Sequence, residues 1–202
     1  MTHGQTTRAS KLDAAALQAL VKPIAQAKYE VDVPWHLLER SLSGLAHDYG
    51  MLELEPDFQR GHVWDPDQQQ HFIENVMRGV VTTAGMTIQL NCPHFDALSK
   101  KERLIDLPEG VQCIDGLQRL TAVRKFMARE VRAFGLSVED LAGTEFAPNR
   151  MTYARVRLAI FSFKRKAELL DHYLALNAGG TPHSESEIAR VRAMRAALAD
   201  GA

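Results

Sequence analysis

Cysteine is nearly absent from this chain: 202 residues hold only Cys92 and Cys113. Two thiols cannot build a disulfide framework, and no Cys/His spacing suited to zinc occurs. The fold must therefore rest on its hydrophobic core, and a reducing cytoplasmic compartment is expected. No apolar run approaches bilayer-spanning length, and no leader with a basic start and an apolar core precedes Val21. A dominant charge is missing too. Lys+Arg number 24 against 25 Asp+Glu, so a sequence-independent grip on nucleic acid would need a local patch rather than the whole surface. No Walker loop, Gly-x-Ser-x-Gly elbow or His-Asn-His nuclease segment occurs within these residues, which sets several common enzyme classes aside.

What is present is the composition of an ordinary globular protein, 46% hydrophobic and 24% charged. Residues 1–10 are small and polar and read as a disordered lead; residues 11–202 read as a single domain. Helical periodicity over residues 11–28 is interrupted at Pro23. Val33-Pro34-Trp35 opens a second helical pattern running to His47, with Leu37, Leu38, Leu42 and Leu45 on its apolar face. Residues 51–54 form a short strand. Asp65-Pro66-Asp67-Gln68 is a helix start with a capping box, Phe72, Ile73, Val76 and Met77 supply the buried side, and Gly79 is the stop. Strands follow at residues 86–90 and 111–114, separated by a long polar loop at 91–108. The next helix buries Leu117, Leu120, Val123 and Met127. Val156, Leu158 and Ile160 alternate with Arg155, Arg157 and Ala159, a strand pattern that turns the arginines to the opposite face. Helices over residues 166–176, burying Leu169, Tyr173 and Leu176, and from Ser184 onward, burying Ile188, Val191, Met194 and Leu198, complete an α+β pattern.

Three motifs stand out. Cys113-Ile114-Asp115-Gly116-Leu117-Gln118-Arg119-Leu120-Thr121 is an apolar strand ending in an acid and a glycine just before a helix. Such a junction exposes helix N–H groups that attract an anion, and Arg119 adds a planar fork of donors suited to phosphate. Leu54-Glu55-Pro56-Asp57-Phe58-Gln59-Arg60-Gly61-His62-Val63-Trp64 repeats the Gln-Arg pair beside an acid. Leu176-Asn177-Ala178-Gly179-Gly180-Thr181-Pro182 joins two helices through paired glycines. Each has an ordinary structural alternative. Asp115 can act as a helix N-cap, worth about 1 kcal/mol, or help hold a divalent cation bridging phosphates. Arg119 can pair with Asp115 one turn back, or join Arg60 in gripping a polyphosphate while Gln59 and Gln118 contact sugar or base. Asn177, Gly179 and Gly180 can simply end a helix or form an anion-binding nest. Trp64 fits a core anchor as well as a stacking platform, and His62 is a titratable neighbour with no visible partner.

In this order and spacing the motifs resemble the ParB-like family marked by an Asp-Gly-Gln-Gln-Arg motif, which includes the nucleotide-using half of GmrSD modification-dependent restriction systems. The resemblance runs from Val33 to Ile188. It implies a ParB/sulfiredoxin-like fold, a small mixed sheet surrounded by helices. It also implies binding of a nucleoside triphosphate with Mg²⁺, slow hydrolysis, and work beside a nuclease partner on DNA. The implied catalytic residues are Asp115, Arg119 and Arg60, with Asp115 at the metal. The nucleotide-binding set is Gln59, Arg60, Gly116, Gln118, Arg119, Asn177, Gly179 and Gly180. Two positions depart from the family pattern: Leu117 stands for the first motif glutamine and Ala175 for an arginine. These departures, with the acid-free basic window of Arg150, Arg155, Arg157, Lys164, Arg165 and Lys166, support an alternative. In that reading the fold is a non-catalytic DNA-binding or adaptor module. Nuclease activity of the domain itself ranks third, since few acids converge for a two-metal site.

Overall fold

A computed structural model describes residues 13–59, 61, 63–95, 105–177 and 185–200. The fold is α+β, with one five-stranded mixed sheet of order β1-β5-β3-β4-β2, consistent with a ParB-like fold. The strands are β1 (Tyr29–Pro34), β2 (Leu52–Glu53), β3 (Thr87–Asn91), β4 (Val111–Asp115) and β5 (Arg155–Phe161). The described helices are α1 (Ala14–Val21), α2 (Leu38–Tyr49), α3 (Pro66–Met77), α4 (Leu117–Met127), α5 (Lys166–Asn177) and α6 (Glu185–Asp200). β1–β5 and β3–β4 pair antiparallel; β3–β5 and β2–β4 pair parallel. No described helix is long and apolar enough to cross a membrane.

The period-two patterns divide the core into two layers. Ile88, Leu90, Val111, Cys113, Val156, Leu158 and Ile160 face α2, α3 and α4, meeting Leu38, Leu42, Ile73, Val76, Leu120, Val123 and Phe126. Ile114, Ala159 and Phe161 face the other way, onto Leu169, Leu170 and Tyr173 of α5 and Val191 of α6. β4 and β5 are thus buried on both faces. Truncating a ring such as Phe126, which is wholly buried, costs about 3–5 kcal/mol in such a core.

Several local expectations hold. Asp65 and Gln68 form the capping box, with Pro66 in the first turn. Gly79 takes a φ of 75° and closes the helix end through its N–H to the Val76 carbonyl. Residues 156, 158 and 160 are buried while Arg155 and Arg157 lie on the opposite face.

Others change. Val33 and Pro34 end an edge strand rather than open a helix; a short 3-10 turn at Trp35–Leu37 precedes α2. Proline fits because β1 has a free edge, where its missing N–H breaks no ladder bond. Leu37 is exposed, whereas Trp35 is buried edge-on against Phe126. Asn91 belongs to β3 and is buried, its side-chain oxygen accepting from the Phe163 N–H at 2.8 Å. Leu176 and Leu198 face solvent, while Leu170 and His172 take the inner positions of α5. The proposed disordered lead, Ser184, and half of the long polar loop, residues 96–104, lie outside the described residues.

Candidate functional site

The junction between β4 and α4 is built on a glycine that nothing else can replace. Gly116 has φ 95°, and a β-carbon there would lie 2.6 Å from Ile88 Cδ1 and 3.0 Å from the Thr87 carbonyl oxygen. Gly116 is itself the N-cap residue, with no side chain to cap, so Asp115 is displaced one position and does not cap α4. The capping reading of Asp115 is therefore overturned. Its carboxylate instead pairs with the Arg119 guanidinium one turn along the helix. Arg119 also donates to the Gly85 carbonyl at 3.2 Å, tying α4 to the turn before β3. The Asp115 side chain is 44% exposed and that of Arg119 25%. Both stay within reach of solvent.

A bulge sharpens this end of the sheet. Leu90 pairs with Cys113 and Gln89 with Asp115, leaving Ile114 as an extra residue on β4. Bulges bend a strand and re-aim the next side chain. Gln89, opposite Asp115, accepts at 2.8 Å from His172 on α5, whose ring sits beside Phe161 and Phe163. Burial pushes the His172 pKa down, so the neutral imidazole donating Nε2–H is the form that fits. Cys113, beneath the junction, is inert: burial raises its thiol to about 12.

The first motif is fastened to this junction. Gln59 Nε2 donates to the Cys113 carbonyl at 2.6 Å. Gln118 Oε1 accepts from the Val63 and Trp64 N–H groups at 2.9 and 3.0 Å, and its Nε2 donates to the Gly61 carbonyl at 3.2 Å. The Gln118 amide is thus engaged in holding protein backbone. Trp64 packs on Phe72 and against the core, as an anchor does. On the third motif, Asn177 Nδ2 donates to the Tyr173 carbonyl at 2.7 Å, and the Tyr173 ring meets Phe58 edge-on at 5.3 Å. Gln59, Asp115, Gly116, Gln118 and Arg119 therefore gather at one junction, with Asn177 a turn away from its aromatic flank. Arg60, His62, Gly179 and Gly180 lie outside the described residues.

Leu117, where the family motif carries glutamine, is 5% exposed and packs in the core. The departure is absorbed as packing, not as an altered surface.

The basic window is divided by the fold. Arg157 forms a bidentate pair with Asp32 on β1 at 2.7 and 3.0 Å, and Lys166 pairs with Asp57 at 2.7 Å. Lys164 donates to the Pro93 carbonyl and to Ser162 Oγ, Arg155 to the Thr152 carbonyl and Arg150 to the Gly143 carbonyl. For Arg157 and Lys166 the acids missing from the local sequence arrive from distant segments.

Arg190 on α6 escaped the sequence reading. It donates to the carbonyls of Asp57, Phe58 and Gln59, the last two at 3.4 and 3.2 Å. Its neighbours carry no motif that marks it. Gln89 had no distinguishing signal, one of three polar residues alternating along β3.

As to a cation, the donor set at the junction is one carboxylate. Among the described residues no group of three or more His, Cys, Asp or Glu side chains is placed to hold a metal ion. Mg²⁺ fits a single carboxylate when substrate phosphates and waters complete its shell.

No curated protein and no solved structure matches the chain. The family described as GmrSD restriction endonuclease, N-terminal domain, matches residues 37–152. That span contains the first two motifs and the whole Gln59–Gln118 junction, and it stops short of α5, α6 and Asn177. The chain belongs to the N-terminal domain family of GmrSD restriction endonucleases, a ParB-like domain of DNA-directed restriction systems.

Proposed function

We propose that the domain binds a nucleoside triphosphate with Mg²⁺ at the β4–α4 junction and hydrolyses it slowly, in the service of a nuclease acting on DNA. The observation that carries this reading is the fastening of the first Gln-Arg motif to the second through Gln59 and Gln118. In this reading the glutamines shape the loop, while Arg119, Arg60 and the α4 N-terminus meet phosphate. Asp115 would hold Mg²⁺, which supplies charge neutralisation on the phosphate oxygens when bound. Phosphoryl transfer asks little more of the protein than position and charge, so the set is sufficient without a dedicated base. Asn177, Gly179 and Gly180 would complete the nucleotide-binding set.

The test is calorimetric titration with ATP, GTP and CTP plus Mg²⁺, comparing wild type with Arg119→Ala and Asp115→Ala. Losing a charge-assisted hydrogen bond costs about 1.5–3 kcal/mol, so Arg119→Ala should bind roughly tenfold to a hundredfold more weakly. Asp115→Ala should lose the Mg²⁺ dependence. Identical isotherms for all three proteins would defeat the proposal.

Leu117 offers no amide where the family motif has glutamine, and this favours one second reading, a domain that keeps the fold and binds DNA without turning nucleotide over. Gel shifts across a salt series separate the two, because phosphate contacts impose a steep loss of affinity with salt.

A further inference from the structure

We propose that Arg190 of α6, outside the family-matched segment, is a positioning residue for the first Gln-Arg motif. Three consecutive carbonyl oxygens, of Asp57, Phe58 and Gln59, converge on its guanidinium. Successive carbonyls in a turn repel one another when they point the same way, and a planar cation with five donors is the side chain suited to collecting them. The Gln59 N–H closes the same turn onto the Pro56 carbonyl at 2.9 Å. Lys166, at the start of α5, pairs with the Asp57 carboxylate at 2.7 Å, adding a second tie from the same layer. Arg195 pairs with Asp171 at 2.8 and 3.1 Å, so α6 is itself held to α5.

The consequence concerns the described residues of the first motif. Its stretch up to Gln59 is fixed by Arg190 from one side and by the Gln59 bond to Cys113 from the other. Gly61, Val63 and Trp64 are fixed by Gln118. A ligand-binding segment needs its backbone held within a fraction of an ångström, because function falls steeply with misplacement. Arg190 thereby makes α6 a working part of the site, although it touches no ligand itself. This inference rests on the nucleotide reading for its functional arm and on geometry alone for its structural arm.

The experiment compares wild type, Arg190→Lys and Arg190→Gln by hydrogen exchange over residues 56–64, by thermal melting, and by titration with Mg²⁺ and the tightest-binding of ATP, GTP and CTP. Arg190→Gln should speed exchange in that stretch at least tenfold while β4 amides keep their protection and the melting temperature changes little. Nucleotide Kd should rise at least fivefold. Arg190→Lys keeps the charge but loses the fork, and should fall between. Unchanged exchange in residues 56–64 overturns the proposal, whether or not nucleotide binds. If wild type binds nucleotide and Arg190→Gln binds it equally well, the functional role is overturned and the nucleotide reading survives. If wild type binds no nucleotide, faster exchange in Arg190→Gln upholds the positioning of the turn, and the nucleotide reading alone is lost.

Discussion

At the scale of single residues, Gly116 and Gln118 show how far a side chain's identity can be read. Gly116 sits between a strand and a helix, a junction that the sequence pattern marks. The structure adds the reason for its strictness, an approach to Ile88 and Thr87 that leaves no room for a methyl. Gly116→Ala should destabilise the fold by about 2–4 kcal/mol, summing left-handed strain and overpacking, and lower Tm by roughly 5–12 °C. Gly44→Ala is the control: a β-carbon meets nothing within 4 Å there, and the helix interior should gain slightly. Equal melting temperatures for Gly116→Ala and wild type would refute the packing account. Gln118 was less legible. Its amide type pointed to sugar or base, yet its bonds go to backbone 54 to 57 residues away, and no local pattern encodes such a partner.

Among the elements, helices with strong end signals were readable, and the edge strand was not. α3 carries cap, first-turn proline and glycine stop in its own sequence, so local chemistry and final structure agree. β1 was hidden because Val33-Pro34-Trp35 also satisfies the rules for a helix start; only pairing with β5 decides the matter. That pairing includes the Asp32–Arg157 cross-strand fork. The hydrogen bond from Arg157 holds the Asp32 carboxyl below its ordinary 3.8. A depressed carboxylate stabilises the fold above the unfolded-state value, and that contribution fades as pH falls through the folded one. Asp32→Asn should therefore lower the urea midpoint near pH 7, with the gap to wild type closing below about pH 4. A gap that stays constant into acid would show that the charge pair contributes nothing.

For the whole molecule, the sheet acts as a partition between two helical layers that both reach the junction. The layer of α2, α3 and α4 carries the family-matched segment; that of α5 and α6 lies beyond it and supplies Asn177, Lys166 and Arg190. The α+β class followed from periodicity, and the motif order pointed to the family. The second core was only half visible, because residues such as Leu170 and His172 are buried by a sheet face that α5's own weak amphipathicity does not announce. The central claim is that the two Gln-Arg segments form one nucleotide surface. Hydrogen exchange with and without Mg²⁺ and nucleotide tests it most directly. Coincident slowing at residues 57–64 and 115–120, with β1 and the α4–β5 connection unchanged, is the result predicted here. Protection of only one segment, or of the Arg155–Phe161 strand instead, would contradict it.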